Sequence, residues 1–396
     1  MIQQHQKPLS YPTKKAVMQF FEANFRTKLC VHSPALSIVD RAAPLQIRHL
    51  VLDHNITQIN DTSYTFAIYR EYPIGTAPPR LHQRANDNGT VDFDLDQWGF
   101  RDPSLDDVLY PGDLKLDGAV DKVEPTNDAR RRELEQQRRY DIQNLERLET
   151  ELLPFQCRES NTPPGFTPYL QCTISSPGET KTWRFPPTLK LYQAVRMLRS
   201  KLLGSRETIR VEGLEIGMRR KVLRLPELIK FRVRELRILG KFSTTLNDLA
   251  PVIERSSFPL EVLEAKFSKL EVHPDFTSAK ALTVSNKSSG IFEDFLKVPH
   301  RIVHLKYDIF PIEKYLELIR LWTQTGKPIG TRFSFNIKKE ARVREIFDTV
   351  QFNFEPTMDM ESYGMSIRMN QLSVLKIFAL MDKGPKIILF FEVVQA

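Results

Sequence analysis

Cysteine is scarce in this chain: Cys30, Cys157 and Cys172 are the only three in 396 residues, and no C-x-x-C spacing occurs. An odd, scattered set excludes a dense disulfide framework and points to a reducing, cytoplasmic or nuclear compartment. Long apolar runs are also missing. None reaches the ~18 residues a membrane-crossing helix needs, so no membrane partner is expected. The opening MIQQHQKPLSYP is polar and has no signal-peptide apolar core.

Catalytic signatures are absent too. Thr325-Gly326-Lys327 lacks the upstream glycine of a phosphate loop and falls at a predicted helix C-terminus, the wrong end for an anion. There is no G-x-S-x-G elbow. In HRIVH, His300 and His304 have ligand spacing, but Arg301 stands where a zinc protease needs glutamate. His304 also falls in a predicted strand, where positions i and i+4 are too far apart to share one metal. No carboxylate pair sits in an apolar setting. The expectation is therefore no metal, no cofactor and no enzymatic activity.

What is present is a repeated phrase between residues 211 and 307: apolar, two residues, Leu, one residue, apolar. Its copies are Val211-Leu214-Ile216, Val233-Leu236-Ile238, Leu260-Leu263-Ala265, Ala279-Leu282-Val284 and Ile302-Leu305-Tyr307. The central leucines lie 22, 27, 19 and 23 residues apart, close to the ~20–29 residue period of leucine-rich repeats. Alternation at the last two positions puts both on one strand face, and such units bury that face only by stacking. Ile47-Leu50-Leu52 repeats the phrase far upstream, as an extra copy or a seam. Helical spacing between the strands, clearest from Ile312 to Trp322, predicts a parallel sheet. Tyr363–Met369, Leu372–Leu380 and Lys386–Val394 predict an antiparallel meander that closes the stack.

Charge is unevenly spread. Residues 196–241 carry 14 Lys/Arg against 5 Asp/Glu, and residues 87–128 carry 12 acidic against 3 basic. The basic block could meet the acidic one in the fold or seek an acidic partner, nucleic acid included. Against nucleic acid, Phe231 is the block's lone aromatic among the strand residues, and base stacking needs more.

Ahead of the repeats, residues 8–40 read as a small helical unit, with Lys14–Asn24 helical behind a Thr13 N-cap and Ala35–Asp40 helical. Ile56–Ile59 and Tyr64–Tyr69 form a hairpin across Asn60-Asp61, and Tyr169–Ile174 with Lys181–Phe185 form a second. Residues 73–125 read as an extended acidic loop anchored at Trp98-Gly99-Phe100 and Leu109-Tyr110-Pro111-Gly112. Within it, residues 80–95 are expected to be the least ordered. Asn127–Leu153 reads as one long surface helix, capped by Thr126 or Asn127, with a stripe of Asp141/Ile142, Leu145, Leu148 and Leu152. Pro154 ends it and opens a Pro-rich linker. Leu189–Leu203 reads as a helix ended by Gly204. The free cysteines are expected to be buried and structural.

Several phrases, in order, resemble a nematode family of F-box-type proteins, the F-box C type. They are PLSYPTKKAVMQFFEANFRTKL with HSPAL, ITQINDTSYTFAIYREYPIGTAPP, DQWGF, YPGDLKL, and the run from YLQCTI through LRLPELIKFRVRELRI to SSFPLEVLE. The resemblance spans nearly the whole chain. It implies a non-enzymatic interaction protein whose N-terminal helices dock on the adaptor subunit of a ubiquitin ligase while the rest holds a target. By position it implies Leu9, Pro12, Val17, Phe21 and Leu29 as apolar docking residues. The tryptophan and Cys-Arg pair usual near the end of an F-box are missing, and the alternative for this face is internal packing. The expected fold is α/β: an F-box-like helical unit (7–45), a hairpin and acidic loop (46–125), a long helix and linker (126–168), and an irregular leucine-rich-repeat-like layer ending in a meander (169–396).

Overall fold

A computed structural model describes residues 9–104, 106–117, 127–140, 144–204, 206, 208–266, 274–359, 364–381 and 387–396. The chain is a mixed α/β protein of two compact units. One unit takes residues Met1–Arg232 and Asp248–Ile253, the other Val233–Asn247 and Glu254–Ala396.

The first unit opens with three short helices, α1 (Tyr11–Met18), α2 (Ala23–His32) and α3 (Leu36–Ala42). Ser10 caps α1 where Thr13 was the expected cap, and Pro12 sits in its first turn, where a missing N–H costs nothing. The expected single helix to Asn24 breaks at Gln19–Glu22. There the Glu22 carboxylate accepts from the Asn24 and Phe25 N–H groups and starts α2.

Strand β1 (Leu45–Leu52) follows, then β2 (Ile56–Ile59) and β3 (Thr62–Glu71). The β2–β3 hairpin turns at Asn60, whose φ of 52° is left-handed, as asparagine tolerates. The helix α4 (Arg80–Asp87) occupies the stretch expected to be least ordered. Few apolar residues hold it. Instead Asn86 clamps the backbone of Arg70, accepting its N–H at 3.2 Å and donating to its carbonyl at 2.8 Å. His82 is buried against Tyr72 and Phe166.

A two-residue strand, β4 (Leu114–Lys115), precedes a helical hairpin of α5 (Asp128–Tyr140) and α6 (Leu145–Ser160). This replaces the expected single helix, and Pro154 lies inside α6. The polar first half is folded back as an ion-pair partner. Arg130 meets Glu151, Arg131 meets Glu159, and Arg138 meets Glu149. Between them Leu134, Leu148, Leu152 and Phe155 form a core completed by Phe100. The Thr126 cap, the Asp141/Ile142 end of the stripe and the turn after Met381 lie outside the described residues.

Strands β5 (Thr167–Ser176) and β6 (Glu179–Phe185) form the second hairpin, and β3 pairs antiparallel with β5. Helix α7 (Leu191–Leu203) packs Leu191, Ala194 and Val195 on Phe66, Ile68, Leu170 and Cys172. Strand β7 (Thr208–Ile216) then pairs with β1 in parallel. The register sets Val211 beside Ile47, Leu214 beside Leu50 and Ile216 beside Leu52. The upstream phrase thus lies in register with the first phrase of the array, on a strand that also borders the antiparallel β2. Strand β8 (Val222–Leu223) pairs with β4.

In the second unit, β9 (Lys230–Lys241, from Val233 on) starts a parallel run through β10 (Val262–Lys266), β11 (Ala281–Val284), β12 (Ile302–Leu305) and β13 (Arg332–Ile337). Helices α8 (Phe242–Leu249), α9 (Pro274–Ser278), α10 (Phe292–Leu296) and α11 (Ile312–Thr325) fall between the strands. Leu236, Leu263 and Leu282 stand side by side, all buried. The next copy slips by two: Val303, not Leu305, faces Leu282, and Leu305 faces Val284. Both point inward, so the slip leaves Leu305 buried.

Phe295, Phe333, Phe335, Tyr315 and Trp322 fill this core, with edge-to-face rings 4.9–5.2 Å apart and the Phe295 and Phe335 rings tilted at 6.0 Å. Helix α12 (Glu340–Phe354) and strands β14 (Thr357–Asp359), β15 (Gly364–Arg368), β16 (Ser373–Met381) and β17 (Ile387–Gln395) finish the unit. The last three strands are the expected meander, and β17 pairs antiparallel with β13.

Candidate partner-docking surface

The N-terminal helices carry two kinds of surface, and the sequence makes both. A small apolar cluster of Met18, Val39 and Ala43, with Leu36, holds α1 to α3. Most other apolar side chains of these helices face outward. Phe20 is 82% exposed, Val31 72% and Ile38 69%. Leu9, Tyr11, Val17, Phe21 and Phe25 are exposed as well. Phe21 and Phe25 meet edge to face at 5.2 Å.

Polar bonds do the anchoring. Arg26 is almost fully buried. Its Nε donates to Asp40 Oδ1 at 2.6 Å, Nη1 to the Pro44 carbonyl at 2.6 Å, and Nη2 to the Asp40 and Ala43 carbonyls at 2.8 and 3.2 Å. Arg206 takes the other oxygen of the same carboxylate. Asn24 Nδ2 donates to the Ile59 carbonyl at 2.8 Å, and its Oδ1 accepts from the Tyr64 hydroxyl at 2.9 Å. Asn60 Nδ2 donates to Glu22 Oε1 while its Oδ1 accepts from the Arg48 and His49 N–H groups. Burial, with the Glu22 charge second, pushes the Tyr64 hydroxyl up to about 12, so it remains a donor. The unit is therefore tied to β1, β2 and β3 through its polar side, and its apolar side stays uncovered by the described residues.

Of the five residues implied by resemblance, Leu9, Pro12, Val17 and Phe21 are exposed, just before α1, on it and on the turn into α2, and Leu29 is half-buried in α2. Sequence reasoning did not single out Phe20, Phe25, Val31 or Ile38 as surface. Their spacing fits a core helix equally well.

The two charged blocks meet within the first unit. Arg220 bonds Asp92 at 2.9 Å, and Arg224 bonds the fully buried Asp113 at 2.7 Å, with Arg196 3.7 Å from its other oxygen. Tyr110 stacks on Tyr192 at 5.2 Å, and the guanidiniums of Arg196 and Arg224 lie over these rings. Asp94 accepts the Leu191 N–H at 3.0 Å on both oxygens and so caps α7, as a carboxylate at a helix N-terminus does. Both sequence-predicted anchors, around Phe100 and Tyr110, pack down.

His300 Nε2 pairs with the Phe276 carbonyl and His304 Nδ1 with Ser334 Oγ, so each histidine has its own structural partner. Among the described residues no cluster of three or more His, Cys, Asp or Glu is placed to hold a metal. Cys157 and Cys172 are buried and Cys30 half-buried, and all three are free. No helix among the described residues is long and apolar enough to cross a membrane.

No curated protein and no solved structure matches the chain. Over residues 190–339, from α7 through the parallel strands to β13, it is similar to a family described as a domain of unknown function (DUF3557).

Proposed function

We propose that this is a non-enzymatic interaction protein, an F-box-like substrate receptor that docks on a ubiquitin-ligase adaptor through its N-terminal helices. Under this reading the adaptor covers Leu9, Pro12, Val17, Phe21 and Leu29, together with the neighbouring Phe20. The strand–helix units from β9 to β13 act as an irregular leucine-rich-repeat-like layer that presents a target. The observation that carries the reading is an apolar side that no described residue covers, on a unit already fixed by buried polar bonds. A chain rarely leaves so many large apolar side chains exposed together without a partner for them. Nucleic-acid binding through residues 196–241 is the weaker reading, because Arg196, Arg220 and Arg224 hold aspartates of the acidic loop.

The test is co-purification of the full chain with a recombinant adaptor subunit. Leu9→Ala with Phe21→Ala should abolish recovery and leave the melting temperature nearly unchanged. If the double change lowers the melting temperature, and the unmodified chain recovers no adaptor, the face serves internal packing and the proposal fails.

A further inference from the structure

The arginines of the basic block are not used alike. Arg196 and Arg224 share Asp113, Arg219 holds Asp53, and Arg220 holds Asp92. The fully buried Arg199 is bonded to Thr57 Oγ1 and to the Arg224, Asp53 and Ile56 carbonyls. Arg210 differs: its side chain is exposed on β7 and has no hydrogen-bond or ion-pair partner among the described residues. The same holds for Arg41 at the end of α3. These two side chains line one cavity.

That cavity measures about 390 Å³ and lies at the start of β1 and β7. Its described lining holds four arginines, Arg41, Arg206, Arg210 and Arg232, the Thr208 residue, the backbone from Ala42 to Leu45, and no carboxylate. Arg232 and Thr208 hold further interactions of their own. Arg206 is 7% exposed, and its Nε is buried with no hydrogen-bond partner. Its remaining nitrogens are fixed by the Leu203 carbonyl and by the Asp40 carbonyl and carboxylate. Gly204, at φ +70°, makes room for this guanidinium, since a Cβ there would strike it. The buried arginine is thus held rigidly, with one donor left over.

We propose that this cavity binds a phosphate group, free or as a monoester. Four arginines on one cavity whose described lining holds no carboxylate repel cations and leave an apolar ligand no matching surface. A phosphate offers three or four oxygens to their forked donors, the geometry that guanidinium groups recognise best. An orphaned buried donor also loses stability until an acceptor reaches it. The volume leaves room beyond the phosphate for part of an esterified group.

Calorimetric titration of the full chain with inorganic phosphate, and separately with O-phosphoserine, tests this at ionic strength matched with chloride. Saturable binding is expected with at least one probe and none with serine. Tighter binding of O-phosphoserine assigns the site to a monoester, and equal or exclusive binding of phosphate assigns it to the free anion. Arg210→Ala and Arg41→Ala should each weaken binding about tenfold, the worth of one charge-assisted contact. Both side chains are exposed, so the melting temperature should hold. Arg210→Lys should recover part of the loss. Absence of saturable binding with both probes, or unchanged affinity in the Arg41→Ala/Arg210→Ala double variant, overturns the proposal.

Discussion

Arg26→Ala is the sharpest perturbation of the N-terminal unit. The side chain is 2% exposed and that of its partner Asp40 15%. Truncation removes four donated bonds. Asp40 does not lose everything, because Arg206 still reaches its second oxygen and its carbonyl. What is stranded is one carboxylate oxygen and the Arg26 share of the Ala43 and Pro44 carbonyls. Leaving buried acceptors short costs ~1–3 kcal/mol each, and breaking a buried ion pair costs ~3–5 kcal/mol. Because Arg206 compensates in part, about 3 kcal/mol is the expected loss. Against a typical stability of ~5–15 kcal/mol, that should free the helices before the rest unfolds. Urea unfolding followed by circular dichroism should show an early transition, and limited proteolysis should cut first before residue 45. Arg26→Lys keeps the charge but not the fork, so it should recover only part of the loss. A loss below about 1 kcal/mol, within the range of an ordinary surface change, would refute the reasoning. The small Met18–Val39–Ala43 cluster would then be what holds the unit.

Two further outcomes follow from buried groups. Leu263 is fully buried between Leu236 and Leu282, so Leu263→Ala should cost ~2–5 kcal/mol in urea unfolding; a near-neutral result would mean that the parallel layer is not packed there. Burial, with the Arg70 charge second, lowers His82 to about 4. Its folded pKa lies below the unfolded one, so its stabilisation is complete above pH ~6.5 and is lost as pH falls towards 4, by up to roughly 3 kcal/mol. His82→Gln should flatten that part of the pH–stability curve, and a curve as steep as the unmodified protein's would show that other groups set it.

The parts legible in the sequence are those set by short-range pattern. Alternation located both hairpins, β13 and the meander, and one phrase located β1, β7 and β9 to β12. The two-residue slip at Val303 was not legible, because Val303 and Leu305 are both apolar and face the same way. Pro154 read as a helix end, yet it is accommodated inside α6 beside the buried Leu152 and Phe155. Helix α4 was hidden because it is fastened by an asparagine side chain rather than by an apolar stripe. The same limit applies to the candidate sites. Phe20 and Phe25 look like core residues until Arg26, Asn24 and Glu22 are seen to hold their helix by the opposite side. Arg199 and Arg206 look like surface cations until carbonyls distant in sequence are found around them.

One carboxylate, Asp40, is gripped at the same time by Arg26 from α2 and by Arg206, two residues before β7. The three helices are therefore not a tethered arm with slack. Any body seated on them would be pointed in a set direction with respect to β1 and β7, with no swivel at the junction. Turning it would first require pulling two guanidiniums from one shared carboxylate, so the joint works as a clamp rather than a hinge.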